Sequence, residues 1–259
     1  MKKTVISCFL IIYVTIIHAQ DFSAYQKKWI VQGSDSMPFR ILLPLNLDVT
    51  KTYPVVFFLH GAGERGSDNE KQLVHGASLF LKDDIRKNYP AIVVFPQCSK
   101  AGFWSNVIRS FDASQKIVHT FLTGGEPTRD MQMLDLLVKF VLSSYPTNKD
   151  QVYVGGLSMG GMGTYELVKR NPGMFAAAFP ICGGADPATA SSTKHCAWWI
   201  FHGVKDDIVN PSFSENMFKA MKKENVNVQL TLYPDANHNS WDAAFAEPRL
   251  LPWLFSQHR

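Results

Sequence analysis

The chain has 259 residues, 46% of them hydrophobic and 19% charged, with a formal charge of +4. This is enough apolar material for a large core, and so small a charge argues against a nucleic-acid or strongly anionic partner. Four cysteines, one of them at position 8, are too few and too scattered for a disulfide framework.

The chain begins with the charged Met1-Lys2-Lys3, and an almost wholly apolar run follows from Thr4 to Ile17, with Ala19 as a small residue at a cleavage point. That order predicts a secretory signal peptide over 1–19, a catalytic domain over 20–259, and a secreted or periplasmic protein. The apolar run is short for a spanning helix, so an uncleaved anchor is the weaker reading. No second run of membrane length follows, and no membrane association is expected after cleavage. Cleavage would remove Lys2 and Lys3 and no acid, bringing the formal charge to +2.

Trp29–Gln32 and Phe39–Leu43 flank Gly33-Ser34-Asp35-Ser36 and predict a hairpin at one sheet edge. Tyr53–His60 and Ala91–Gln97 are continuous apolar runs, as in strands buried on both faces of a parallel sheet. Between them, Leu73, Ala77, Phe80, Leu81 and Ile85 predict a helix over 69–88. Residues 98–127 are harder to read, with a short helix expected near 112–122. Arg129–Tyr145 carries a clear amphipathic period ending at Pro146. Strands are expected at 152–157, 175–182, 197–202 and 226–233, and helices at 211–224 and 248–255. Strands alternating with helices predict an α/β fold, a mostly parallel, doubly wound sheet in one domain. Cys182 and Cys196 would then fall at opposite ends of neighbouring strands, beyond the roughly 7 Å that a disulfide spans. Cys98, Cys182 and Cys196 are expected to be free thiols.

The chemistry gathers where strands end. Gly156-Leu157-Ser158-Met159-Gly160 lies between a strand and a helix, as a nucleophile elbow requires. Such a pattern arises by chance in about one chain of this size in ten, so the remaining parts of a serine hydrolase must also be present. A base is found by elimination among the histidines. His18 is in the leader and His258 at the terminus. His75 and His119 sit in helical stretches, and His195 opens a strand at the wrong end. His60 and His202 precede glycines and suit turn bracing. His238 alone follows the last strand. The acid is Asp206 or Asp207, with Asp235 a weaker candidate, and spacing does not separate the first two. Oxyanion donors are expected from Met159 and from the Gly61-Ala62-Gly63 turn, with Ala62 first and Gly63 second. Gly61 and Gly63 are also placed in the substrate site, and Trp104 and Trp241 as stacking walls. Ordinary packing is the competing reading for both tryptophans. No metal-ligand or dinucleotide motif is present, so no cofactor and no metal are expected.

His60-Gly-Ala-Gly-Glu-Arg-Gly66, Gly156–Thr164, Ile181-Cys-Gly-Gly184, Phe201-His-Gly-x-x-Asp206 and His238-Asn-Ser-Trp241 together resemble bacterial α/β-hydrolases of the esterase type. These are relatives of feruloyl and acetylxylan esterases and of polyhydroxybutyrate depolymerases, also grouped with prolyl-oligopeptidase-like and phospholipase/carboxylesterase-like hydrolases. The resemblance covers residues 53–256. It implies an α/β-hydrolase fold, a Ser158–Asp206–His238 triad, and Asp206 rather than Asp207 as the acid. Residues 100–127 depart from the pattern, and substrate choice is expected to sit there. The twelve residues Gly183–Lys194 leave no room for a large lid, which favours a soluble or polymer-linked ester over an interfacial lipid. The expectation is acyl transfer on small or polysaccharide-linked esters, with acetyl or feruloyl groups foremost. A peptidase and a non-enzymatic binding protein on the same scaffold are the rivals. Oligomeric state leaves no sequence signal.

Overall fold

The computed structural model describes residues 20–115 and 117–259; the expected leader over 1–19 lies outside them. In chain order the strands and helices are β1 (Gln26–Gln32), β2 (Asp35–Leu42), β3 (Tyr53–Leu59), α1 (Ala77–Leu81), α2 (Asp83–Asn88), β4 (Ile92–Pro96), β5 (Val107–Phe111), β6 (Ile117–Phe121), α3 (Arg129–Ser144), β7 (Thr147–Leu157), α4 (Met159–Arg170), β8 (Ala177–Ile181), β9 (Ala197–Gly203), α5 (Ser212–Lys223), β10 (Val228–Tyr233), α6 (Trp241–Ala246) and α7 (Leu250–Phe255). Eight strands form one sheet in the order β1-β2-β4-β3-β7-β8-β9-β10. The β1–β2 and β2–β4 pairs are antiparallel and every other pair is parallel.

The central strands are apolar along their length because both faces are covered. Val55, Phe57 and Leu59 of β3 point into a core shared with α3, α4 and α5. Val56 and Phe58 of the same strand point into a second core with α1, α6 and α7. The helix α3 starts where Thr128 Oγ1 accepts the Met131 N–H at 3.1 Å, satisfying one otherwise unpaired donor of its first turn. No helix among the described residues is long and apolar enough to cross a membrane.

Three elements differ from expectation. The helix over 69–88 is broken into a 3-10 turn at Lys71–Leu73 and the short α1 and α2. Gly76 breaks it at φ 82°, where a Cβ would strike the Phe245 ring, and Lys82 is extended. The helix near 112–122 is instead an antiparallel hairpin of β5 and β6. Val107, Ile108, Ile117, Val118 and Thr120 are β-branched residues that suit strands better. The short helix α6 has no counterpart in the sequence reading. Cys98, Cys182 and Cys196 are free and buried, and the β8–β9 register pairs Ala177 with Ala197, leaving Cys182 and Cys196 at opposite strand ends.

Candidate active site

The turn from β7 into α4 holds Ser158 at φ 54° and ψ −117°, a conformation that costs energy and persists only where its surroundings enforce it. A Cβ on Gly160 would lie 1.9 Å from the Leu59 carbonyl oxygen, and one on Gly156 2.4 Å from the Gly160 oxygen. Only hydrogen fits at either position. The Ser158 N–H donates to the Ile181 carbonyl at 2.9 Å, tying the elbow to β8. Met159, as the first residue of α4, has an N–H with no partner inside the helix.

Asp206 and His238 arrive on the turns after β9 and β10. His238 Nε2 is 2.9 Å from Ser158 Oγ, and its Nδ1 is 2.8 Å from Asp206 Oδ2. Asp206 Oδ1 accepts the N–H groups of Ile208 and Val209 at 3.0 and 2.9 Å. Burial alone would raise this carboxyl. The hydrogen bonds from His202, His238 and Val209 outweigh it and hold the group well below the usual carboxylate range. Asp207 is exposed and binds Asn237 Oδ1 through its backbone N–H, while Asp235 pairs with Lys205 at 2.8 Å. Neither reaches an imidazole.

His202 has a larger place here than turn bracing. It is wholly buried, with Nε2 3.1 Å from Asp206 Oδ2 and 2.9 Å from the Val209 carbonyl. Both neighbours are acceptors, so Nε2 carries a hydrogen, while Nδ1 meets Ser214 Oγ at 2.7 Å. The four-residue spacing between His202 and Asp206 was the available signal.

The turn after β3 lies alongside. Ala62 opens the 3-10 turn Ala62–Glu64, which leaves its N–H free of an intrahelical partner, and Gly61 precedes it beside Ser158. Gly63 is exposed, with open space around its Cα. Arg65 Nε donates to the Ala62 carbonyl at 2.9 Å, and Gln97 Nε2 donates to the Glu64 carbonyl at 3.1 Å. His60 accepts the Cys98 N–H on Nε2 at 2.9 Å and faces the Gly61 carbonyl with Nδ1. Burial lowers the His60 imidazole to about 4, so it is neutral and braces the turn. Trp104 corrects the expectation of a stacking wall. It is completely buried, packs against Gly163 and donates its indole N–H to the His60 carbonyl at 3.1 Å. It has no face left for a substrate.

Trp241 is half-buried, and its ring centroid is 5.5 Å from that of His238 and 5.0 Å from that of His75. His75 thus lies in a turn beside the site, not in a helix. His119 is on β6, close enough for the charges on His238 and Asp206 to act on it. Burial is the largest influence and lowers it, and Arg109 adds to that. Its neighbours Phe121 and Phe213 pack edge-to-face at 5.1 Å. Strand alternation in Ile117–Phe121 was the signal that would have turned His119 inward.

A mostly parallel sheet, helices on both faces and a serine on an elbow between strand and helix make this an α/β-hydrolase. The chain belongs to the Esterase family, whose model matches residues 33–247. Among named relatives it is 25% identical over 181 residues to the "Probable feruloyl esterase C" of Aspergillus terreus, covering 69% of this chain and 58% of that protein. It is 27% identical over 162 residues to acetylxylan esterase A of Talaromyces purpureogenus, covering 58% and 40%. A thermostable esterase superposes with a TM-score of 0.80 at 28% identity, covering 92% of this chain and 64% of that one. A ferulic acid esterase of Anaeromyces mucronatus, solved with ferulic acid, shares the fold with a TM-score of 0.63 at 16% identity.

Proposed function

We propose that the chain is an exported serine esterase in which Ser158, His238 and Asp206 form the catalytic triad. The observation that carries this is the unbroken run of hydrogen bonds from Ser158 Oγ through His238 to Asp206, at 2.9 and 2.8 Å. His238 takes the serine proton as Oγ attacks an ester carbonyl, and Asp206 holds its tautomer and stabilises the imidazolium. The N–H groups of Met159 and Ala62 receive the negative oxygen of the tetrahedral intermediate. His238 then protonates the departing alcohol, and water activated by the same ring releases the acid.

The substrates proposed are acetyl or feruloyl esters on polysaccharides or related small esters. Support comes from the feruloyl and acetylxylan esterases among the chain's relatives and from the predicted leader. A fluorophosphonate probe is expected to label wild-type protein and not Ser158→Ala, which should also lose release of acetate or ferulate from substituted xylan. Faster cleavage of peptide anilides than of any ester would turn the assignment towards a peptidase. Amino-terminal sequencing of exported protein should begin at Gln20, and a product that keeps residues 1–19 would contradict cleavage.

A further inference from the structure

Glu64 has no part in the reaction just described, yet it stands beside the nucleophile. A Cβ placed on Gly61 would be 3.1 Å from Glu64 Oε2 and 3.7 Å from Ser158 Cβ, so carboxylate and serine border one small space. The Glu64 side chain is only 15% exposed. Among the described residues no hydrogen bond reaches either of its oxygens, and His75 Nε2 stands 3.9 Å from Oε1. An ionised carboxylate accepts about four hydrogen bonds, and the protein supplies none of them here. A bare negative charge near a forming oxyanion also opposes ester attack. A substrate that brings hydroxyl donors to Glu64 supplies the missing partners and offsets that charge.

The rest of the wall suits such a substrate. Trp241 is half-buried, its ring centroid 5.0 Å from that of His75 and 5.5 Å from that of His238, and among the described residues no protein group accepts its indole N–H. An aromatic face beside an unpartnered carboxylate complements a sugar ring. The C–H groups of the sugar lie on the indole, and neighbouring hydroxyls donate to the carboxylate. Because Trp241 abuts the imidazole that protonates the leaving alcohol, the ring received there is the one that carries the ester.

We propose that Glu64, His75 and Trp241 form a subsite for the ester-bearing sugar, with Glu64 accepting two of its hydroxyls, Trp241 supplying the stacking face and His75 positioning both. The proposal rests on the esterase reading of Ser158. Its test compares an acetylated xylo-oligosaccharide with 4-nitrophenyl acetate, which has no hydroxyl donor, on the full chain and on Glu64→Ala, Glu64→Gln and Trp241→Ala. Glu64→Ala should lose at least about tenfold more kcat/KM on the sugar ester than on the nitrophenyl ester, mostly through KM, as one charged hydrogen-bonded contact is worth about that factor. Glu64→Gln, which keeps one acceptor oxygen, should recover part of the loss, and Trp241→Ala should follow Glu64→Ala. Xylotriose binding to Ser158→Ala by calorimetry should weaken in the same way when Glu64→Gln is added. Equal losses on both esters, or none on either, overturn the subsite. Wild-type protein that cleaves the nitrophenyl ester and ignores every acetylated sugar overturns the polysaccharide reading and the subsite together. Wild-type protein inert towards both esters overturns the esterase reading itself.

Discussion

At Asp206 a carboxylate with a fully buried side chain meets four donors: the N–H groups of Ile208 and Val209 and the imidazoles of His202 and His238. Its neighbour Asp207 faces solvent. Adjacent positions in a sequence say nothing about which side chain turns inward, and so spacing alone left the pair open. The turn decides it, because the chain after Asp206 folds back and presents two N–H groups to Oδ1. Asp206→Asn should cut kcat by about 10³- to 10⁴-fold, as loss of the orienting carboxylate does in serine hydrolases. Asp207→Asn should stay near wild type in the same assay. His202→Leu removes one donor from Asp206 and one from the Val209 carbonyl, while Ser214 Oγ keeps the Gly183 carbonyl as its acceptor. A stability loss of about 1–3 kcal/mol in urea unfolding is expected.

At the scale of elements, the elbow was legible because its pattern is a steric requirement rather than a preference. Gly160→Ala drives a methyl group into the Leu59 carbonyl, which is backbone and cannot swing aside. Gly63 has open space and no positive φ. Thermal melts should therefore show Gly160→Ala destabilised by more than about 4 kcal/mol or unable to fold, and Gly63→Ala within about 0.5 kcal/mol of wild type. The β5–β6 hairpin was illegible for a related reason. Its turn places Gln115 at φ 60°, a position usually filled by glycine or asparagine, so no turn signal marked it. The segment 112–122 was then read as a short helix. A lone two-stranded hairpin is marginal, and this one is held from outside. Lys169 and Arg170 on α4, the helix after Ser158, reach the carbonyls of Thr123 and Gly125, and Phe121 packs on Phe213. Replacing 107–121 with a short Gly-Ser turn should leave Ser158 open to a fluorophosphonate probe while changing the ratio of acetyl to feruloyl release. An unchanged ratio would remove this segment from substrate choice.

For the molecule as a whole, Ser158, Asp206 and His238 meet because β7, β9 and β10 run parallel and end at the same edge of the sheet. The order Ser–Asp–His along the chain made that convergence legible, whereas the β2-β4-β3 crossing depends on contacts distant in sequence and was not. The same convergence buries ionisable groups, and His60 and Asp206 act on stability in different pH windows. His60 is neutral in the fold and titrates at about 4 against an ordinary value of 6.5. Between those values the unfolded chain binds a proton that the folded chain refuses, so stability falls as pH drops, by up to about 3 kcal/mol. Asp206 has the opposite chemistry and the same direction of effect. Its carboxyl is held below its unfolded value, so its contribution is present above about pH 4 and is lost as the pH falls further. Acid should therefore weaken the protein in two stages, the first from His60 with a smaller part from the likewise lowered His119, and the second from Asp206. Urea unfolding at steps from pH 7.5 to 3 should show a first decline between about 6.5 and 4. That decline should flatten in His60→Asn, which cannot titrate, even though the variant starts from lower stability. A first stage of unchanged slope in His60→Asn would place the refused proton on another group, and the turn beside Ser158 would no longer be the part of the molecule that acid strikes first.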